Sequence, residues 1–250
     1  MSPLKALGPD EMPPILYQHY WDKIGVDVAQ AVLTWLNTGT IYPSLSNTYI
    51  ILIPKVKYPQ QVTEFHPIAL CNILYKLTSK VLANRLKKFL LNIIFDSQSA
   101  FQYNKVISDN ILVAFESLHH IKHKKVGKSS FMAMTQDMSK AYNHVAWIFL
   151  CRLMEKMDFE DHWIQLIYGC ISSVSYPILV NGEPHGDIKP TRGLRQGDPL
   201  SPYLFLLVSE GLNGLIQQAM VVGDIRGFSL CHNGPQISHL FFTDDTLFFL

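Results

Sequence analysis

A mixed α and β chain follows from three features. Apolar Ile73, Leu74, Leu77, Val81, Leu82, Leu86 and Leu90 recur at helical spacing. Thr48-Tyr-Ile-Ile-Leu-Ile53 is a β-branched and aromatic run stopped by Pro54. Tyr176 to Val180 runs into Asn181-Gly182, the strongest short hairpin signal. With 250 residues, 48% hydrophobic and 16% charged, the chain is long enough for a real core in one or two domains, and it is neither disordered, collagenous nor coiled-coil in composition.

The elements follow in order. A strand over 48–53 leads into a polar, Pro-containing loop over 55–61. Residues 72–94 form a basic amphipathic helix, with Lys76, Lys80, Lys87 and Lys88 off the apolar stripe. A second helix starts near Ser108 as N-cap, directs Ile111, Leu112, Phe115 and Leu118 inward, and ends in a basic segment that suits a helix C-terminus. Its His119, His120 and His123 read as a solvated face and no ligand is assigned. A loop over 127–130 precedes a strand over 131–136 that delivers Asp137 at its end. Helices are expected over 141–157 and 161–172. The hairpin after Val180 returns to about Thr191. Pro199 and Pro202 fit the first turn of a buried helix running to Met220. Strands over 237–242 and 246–250 flank Asp244-Asp245, a short hairpin with acids at its tip. No repeat or low-complexity linker interrupts the pattern.

Several classes are excluded. The densest apolar stretch, 203–208, is soon interrupted by Glu210, so no membrane span and no membrane partner are expected. The first residues lack a basic-then-apolar leader. Cys71, Cys151, Cys170 and Cys231 lie far apart without a CxxC, which fits a reducing compartment better than a disulfide framework or zinc ribbon. The net charge is +1, yet residues 51–130 hold twelve Lys or Arg against four acids. A basic block joined to an acidic one suits a protein that grips a phosphate backbone with one part and holds metal on carboxylates with another. Patchy surface charge is the plain alternative.

The chemistry sits in three acids. Two adjacent carboxylates between apolar strands repel unless a cation neutralises them. Asp137 also ends an apolar strand, and two such strands side by side would bring Asp137 to Asp244, the arrangement of a two-metal phosphoryl-transfer site. Adjacent residues tend to point apart, which gives Asp245 the less direct part. Asp244-Asp245 reads equally well as a polar β-turn, and spacing alone favours neither.

Gln136-Asp-Met-Ser-Lys-Ala-Tyr142, Arg192-Gly-Leu-Arg-Gln-Gly-Asp-Pro-Leu-Ser-Pro-Tyr203 and Phe241-Phe-Thr-Asp-Asp245 together resemble the ordered A, B and C motifs of reverse transcriptases. Leu52-Ile-Pro-Lys55, Phe65-His-Pro-Ile68, Ser79-Lys-Val-Leu-Ala-Asn-Arg85, Ser108-Asp-Asn-Ile-Leu112 and Leu179-Val-Asn-Gly-Glu183 extend the likeness to plant LINE-type (non-LTR) retrotransposons over essentially the whole chain.

The resemblance implies an α+β right-hand polymerase fold, with basic fingers over 1–130 and a palm over 131–250. It further implies a truncated domain that lacks the thumb and the upstream endonuclease, parts that activity would draw from elsewhere. By the same resemblance Asp137, Asp244 and Asp245 are catalytic and ligate two Mg2+ ions, or Mn2+, with the Met138 carbonyl as a backbone ligand. Tyr142 stands at the steric-gate position that rejects a ribonucleotide, with a core aromatic as its plain alternative. Gln196 and Gly197 belong near the incoming nucleotide and template, Arg195 at phosphate, and Lys105, where the family usually has Arg, near the triphosphate. The implied partners are an RNA template, a DNA primer and a deoxynucleoside triphosphate, in the nucleus or cytoplasm.

Leu7, Glu11, His66, Asn143, His144 and Thr243 stand where the family usually has Pro, Gly, Arg, Asp, Arg and Ala. Each is one transition mutation away, so the alternative is an inactive relic that at most binds nucleic acid. Gln136, where Leu is usual, is expected to place an amide in a buried strand. The last strand, 246–250, is expected to stand uncovered and open to edge pairing. A two-metal nuclease or phosphatase on the same acids has no motif of its own.

Overall fold

The computed structural model describes residues 6–101, 105–123, 131–231 and 234–250. The chain forms two compact units that interleave along the sequence: Met1–Arg85 with Tyr142–Pro202, and Leu86–Ala141 with Tyr203–Leu250. The sequence expectation divides the chain once, near residue 130, on functional grounds, and the expected loop over 127–130 lies outside the described residues.

The first unit is built on a four-stranded sheet of order β2-β1-β4-β5. β1 (Thr48–Pro54) pairs antiparallel with β2 (Phe65–Cys71) along its full length, and parallel with β4 (Tyr176–Val180) at Ile50 and Ile178. Pro67 lies in β2 and Pro184 in β5 (Glu183–Ile188), both edge strands, where a missing amide breaks no internal ladder. Asn181 and Gly182 both have positive φ, 54° and 88°, as the two-residue turn between β4 and β5 requires. α1 (Pro14–His19), α2 (Trp21–Thr38) and α3 (Pro43–Ser46) precede this sheet. α2 buries Val32, Trp35 and Leu36 on one stripe, a helical spacing the sequence reading passed over.

α4 (Ile73–Ile93) is close to expectation, with Ile73, Leu82, Leu86 and Leu90 buried. The helix expected over 141–157 is two helices, α6 (Ala141–His144) and α7 (Trp147–Lys156). The break has a tertiary cause: Gly193 N–H donates to the Val145 carbonyl at 2.7 Å, and Trp147 Nε1 donates to the Gly193 carbonyl at 2.7 Å. α8 (Asp161–Ser172) matches its expected range and buries Ile164, Leu166, Ile167, Cys170 and Ile171.

The second unit carries a three-stranded antiparallel sheet of order β3-β7-β6, from β3 (Ala133–Asp137), β6 (His239–Phe242) and β7 (Asp245–Phe249). β7 is central, so the expectation of an uncovered final strand is corrected: Phe249 is fully buried, with Phe228 at 6.2 Å ring to ring. β3 is an edge strand and Gln136 on it is exposed, so its amide meets water and no burial cost arises.

α5 (Ile107–His123) runs opposite to expectation. Ile111, Leu112, Phe115 and Leu118 are exposed, Phe115 by 63%, whereas the inner stripe is Asn110, Val113, Ala114, Ser117, His120 and Ile121. Ser108 is not the cap; Asp109 accepts the Val106 amide at its Oδ2, 3.3 Å away, and closes that end. His120 lies edge-on to Phe228 at 5.4 Å, while His119 and His123 are exposed.

α9 (Ser201–Val222) is long and apolar enough, by length and composition, to cross a membrane, with mean hydropathy 1.3, which the sequence reading excluded. Its middle is built for a protein interior. Glu210 is buried, accepts the Phe95 amide at 3.2 Å and the Asn213 amide group at 3.2 Å, and burial pushes its carboxyl pKa up against the pull of those donors.

Candidate functional site

The carboxylates belong to the second unit. Antiparallel register sets Asp137 directly opposite Asp245, with Gln136 opposite Thr246. Asp245 also faces Phe242 across the β6-β7 hairpin, which leaves Thr243 and Asp244 as a two-residue turn. Met138 N–H donates to the Asp244 carbonyl at 3.2 Å. The backbones of all three acids therefore meet at one end of the sheet. The facing pair is Asp137 with Asp245, where the sequence reading expected Asp137 with Asp244.

Asp137 and Asp245 are exposed and Asp244 is half-buried. The Met138 carbonyl accepts the Ala141 amide at 3.0 Å. Among the described residues no three His, Cys, Asp or Glu side chains converge as a metal-holding group. The donor set nonetheless fits a hard divalent cation: carboxylate oxygens only, on directly opposed strands whose like charges repel without a counter-ion.

The framework around the hairpin is buried and aromatic. Residues 97–99 run beside β6: Phe241 N–H donates to the Ser97 carbonyl at 2.8 Å, and Asn110 Nδ2 donates to the Phe241 carbonyl at 2.9 Å. Lys105 is tied to the same segment, its Nζ 3.0 Å from Asp96 Oδ1 and 3.4 Å from the Gln98 carbonyl. His239 on β6 is buried beside Phe241, ring centroids 4.5 Å apart, with Nδ1 2.8 Å from the Ser238 hydroxyl. Burial pushes its imidazole pKa down to about 4.

Tyr142, Gln196 and Gly197 belong to the first unit, where they line one cavity of about 1150 Å³. Lys76 and Lys80 of α4 and His66 of β2 also line it, with Tyr17 and Trp21 from the helices at the N-terminal side. Backbone pairing explains why the first two motifs share this wall: Leu194 N–H donates to the Tyr142 carbonyl at 2.8 Å. Gly193 makes that pairing possible, since its φ is 96° and a Cβ there would sit 3.0 Å from the Asn143 carbonyl oxygen.

Gln196 and Gly197 form the tip of a β-turn closed from Asp198 N–H to the Arg195 carbonyl at 3.4 Å, and Gly197 takes the φ of 81° that this turn type demands. Arg195 is corrected from a phosphate contact to an interior cation. It is only 5% exposed, its guanidinium lies 4.0 Å from the Tyr75 ring centre, and Nη2 donates to the Ser46 carbonyl at 3.4 Å. Burial works to lower its pKa, and the surrounding Tyr75, Cys71 and Asp198 more than offset this.

Sequence reasoning missed Asp198, a buried carboxylate inside the quoted B motif, and the aromatic cavity wall of Tyr17 and Trp21. Asn143 and His144, two departures from the usual family pattern, are both exposed, and nothing in the structure explains them.

The two sheets, the turn and the carboxylate hairpin define a right-hand polymerase domain. The profile of the reverse transcriptase (RNA-dependent DNA polymerase) family matches residues 53–250, and the chain belongs to that family. It is 53% identical over 68 residues to an uncharacterized mitochondrial protein of Arabidopsis thaliana, covering 27% of this chain and 56% of that protein. It is 25% identical over 198 residues to the retrovirus-related Pol polyprotein from a type-1 retrotransposable element R2 of Popillia japonica, covering 78% of this chain and 26% of the polyprotein. The chain thus spans about half of the first relative and a quarter of the second. Among solved structures, apo telomerase from Candida tropicalis superposes with a TM-score of 0.54 at 16% identity, over 90% of this chain and 48% of that one, which supports the same fold.

Proposed function

We propose that the chain is the RNA-directed DNA polymerase part of a retrotransposon-type protein, which extends a DNA primer on an RNA template. The observation that carries this is the facing of Asp137 and Asp245 with Asp244 in the adjoining turn. Asp137, Asp244 and Asp245 would hold Mg2+, or Mn2+, with the Met138 carbonyl as a further oxygen. When bound, the cations acidify the primer 3′-hydroxyl and neutralise charge on the triphosphate.

The protein's own residues position the reactants. Tyr142 presents a ring that excludes a 2′-hydroxyl, and the Gln196-Gly197 turn lets backbone approach the nucleotide and template. Lys105 offers a point charge to the triphosphate, without the bidentate fork of Arg. Residues 1–130 act as fingers, their basic surface holding the nucleic acid backbone, and residues 131–250 as palm. Sequence choice then lies in base pairing with the template.

The test is Mg2+-dependent extension of a DNA primer on RNA, with an Asp244→Asn chain prepared in parallel. Extension that disappears in the variant is expected. A folded, RNA-binding chain that never extends would overturn the proposal in favour of a non-catalytic relic. That second reading has one observation behind it: Glu11, where the family usually has Gly, sits at φ 53°.

A further inference from the structure

The turn that presents Gln196 and Gly197 has buried, charged residues on both sides. Arg195 and Asp198 are each 5% exposed, while Gly197 is exposed. A Gln-Gly tip left to itself samples many backbone states, and fixing it costs conformational entropy. Something must hold it, and both flanks lead to one residue on α4.

The Tyr75 hydroxyl donates to Asp198 Oδ2 at 2.6 Å, and its ring lies under the Arg195 guanidinium at 4.0 Å. Ser79, one helical turn further along α4, donates to the other carboxylate oxygen of Asp198, which also accepts the Leu200 amide at 3.1 Å. Tyr75 is fully buried and braced by Trp35, ring centroids 5.8 Å apart. Burial raises the pKa of its hydroxyl well above the usual tyrosine value, so the group remains a donor.

We infer that Tyr75 is a positioning residue: its ring under Arg195 and its hydroxyl on Asp198 clamp both ends of the Gln196-Gly197 turn and hold that turn ready for the incoming nucleotide. The inference rests on the polymerase reading for what the turn meets, and on the structure for the clamp itself. Cation–π and charge-assisted hydrogen bonding converge on one residue, the ring holding Arg195 and the hydroxyl holding Asp198, so removing the hydroxyl frees the Asp198 end of the turn and leaves the Arg195 end in place.

The experiment uses the full chain with Tyr75→Phe, which keeps the ring and removes the hydroxyl. Amide hydrogen exchange is expected to quicken about tenfold over 195–200 and to stay unchanged in the β1-β2 ladder, in keeping with the loss of one hydrogen bond to a charged group. In primer extension KM for the nucleotide is expected to rise by about the same factor while kcat holds, because the turn must be ordered on binding. Ser79→Ala, which removes the second donor, should give the same pattern more weakly and serves if Tyr75→Phe does not fold. Unchanged exchange over 195–200 would overturn the clamp. Equal loss of kcat for every substrate, in step with loss of folded protein, would reduce Tyr75 to a stability residue and overturn the positioning role. If the unmodified chain never extends a primer, the polymerase reading fails and the exchange comparison still decides the clamp.

Discussion

Leu194 donates its amide to the carbonyl of Tyr142, 2.8 Å away, and this bond joins two sequence motifs that are fifty residues apart. Beside it, Gly193 pairs with Val145 through backbone and its carbonyl accepts the Trp147 indole N–H, so the strip 142–147 is laced to 193–194 so closely that a Cβ at Gly193 would press on the Asn143 backbone.

Gly193→Ala should therefore destabilise the fold by about 2–4 kcal/mol, since the new Cβ meets backbone at a positive φ. Urea unfolding would show it, whereas Gly182→Ala, with open space around its Cβ, should cost less.

His239 makes stability pH-dependent. Its folded pKa of about 4 lies below the ordinary value of 6.5, so between these pH values the unfolded chain binds a proton that the folded chain does not. Stability from this group is intact above pH 6.5, falls on acidification through the window, and is lowered by on the order of 3 kcal/mol at pH 4. Chemical unfolding at pH 7 and pH 5 should show a smaller difference in His239→Phe than in the unmodified chain.

Glu11 and Thr243 hold φ of 53° and 57°, a region that suits glycine and is worst for a β-branched side chain. Glu11→Gly and Thr243→Gly should each stabilise by about 0.5–1 kcal/mol, read as a rise in Tm.

The Asp137–Asp245 facing pair predicts a metal-dependent reversal. Without divalent cation, Asp245→Asn should unfold later than the unmodified chain, by about 0.2–1 kcal/mol, because a cross-strand repulsion is gone. With millimolar Mg2+ the unmodified chain should gain Tm and the variant should gain less.

On α5, Leu112→Gln and Phe115→Gln should change stability by less than about 0.5 kcal/mol, whereas Leu86→Ala, at a fully buried position, should cost about 2–5 kcal/mol. Paired denaturation curves distinguish the exposed face from the core.

That contrast marks where the sequence was legible. The α4 stripe is legible because leucines at helical spacing, Leu82, Leu86 and Leu90, are also the residues that find a core. The same reasoning misled on α5, since periodicity identifies an apolar face without saying what covers it, and there the helix rests on Asn110, Ala114 and Ser117 instead. The turn at Asn181-Gly182 was legible because its chemistry is local. The break between α6 and α7 was not, because it is imposed by Gly193 from a distant part of the chain. The three acids were found from the ends of their strands, yet which of them face each other depends on register, and that is decided by the whole β3-β7 pairing. Arg195 and Asp198 lay in plain view within a motif, but nothing local distinguishes a buried pair from a solvated one.

The interleaving of the two units has a consequence for synthesis. Neither unit is a contiguous half of the chain: the first awaits residues 142–202, and the second awaits 203–250. During synthesis residues 1–85 therefore stand without the rest of their unit until residue 202 has been added, and their apolar surfaces stay uncovered for that interval. Cleaving the gene at codon 130 would yield two products, each lacking part of both cores.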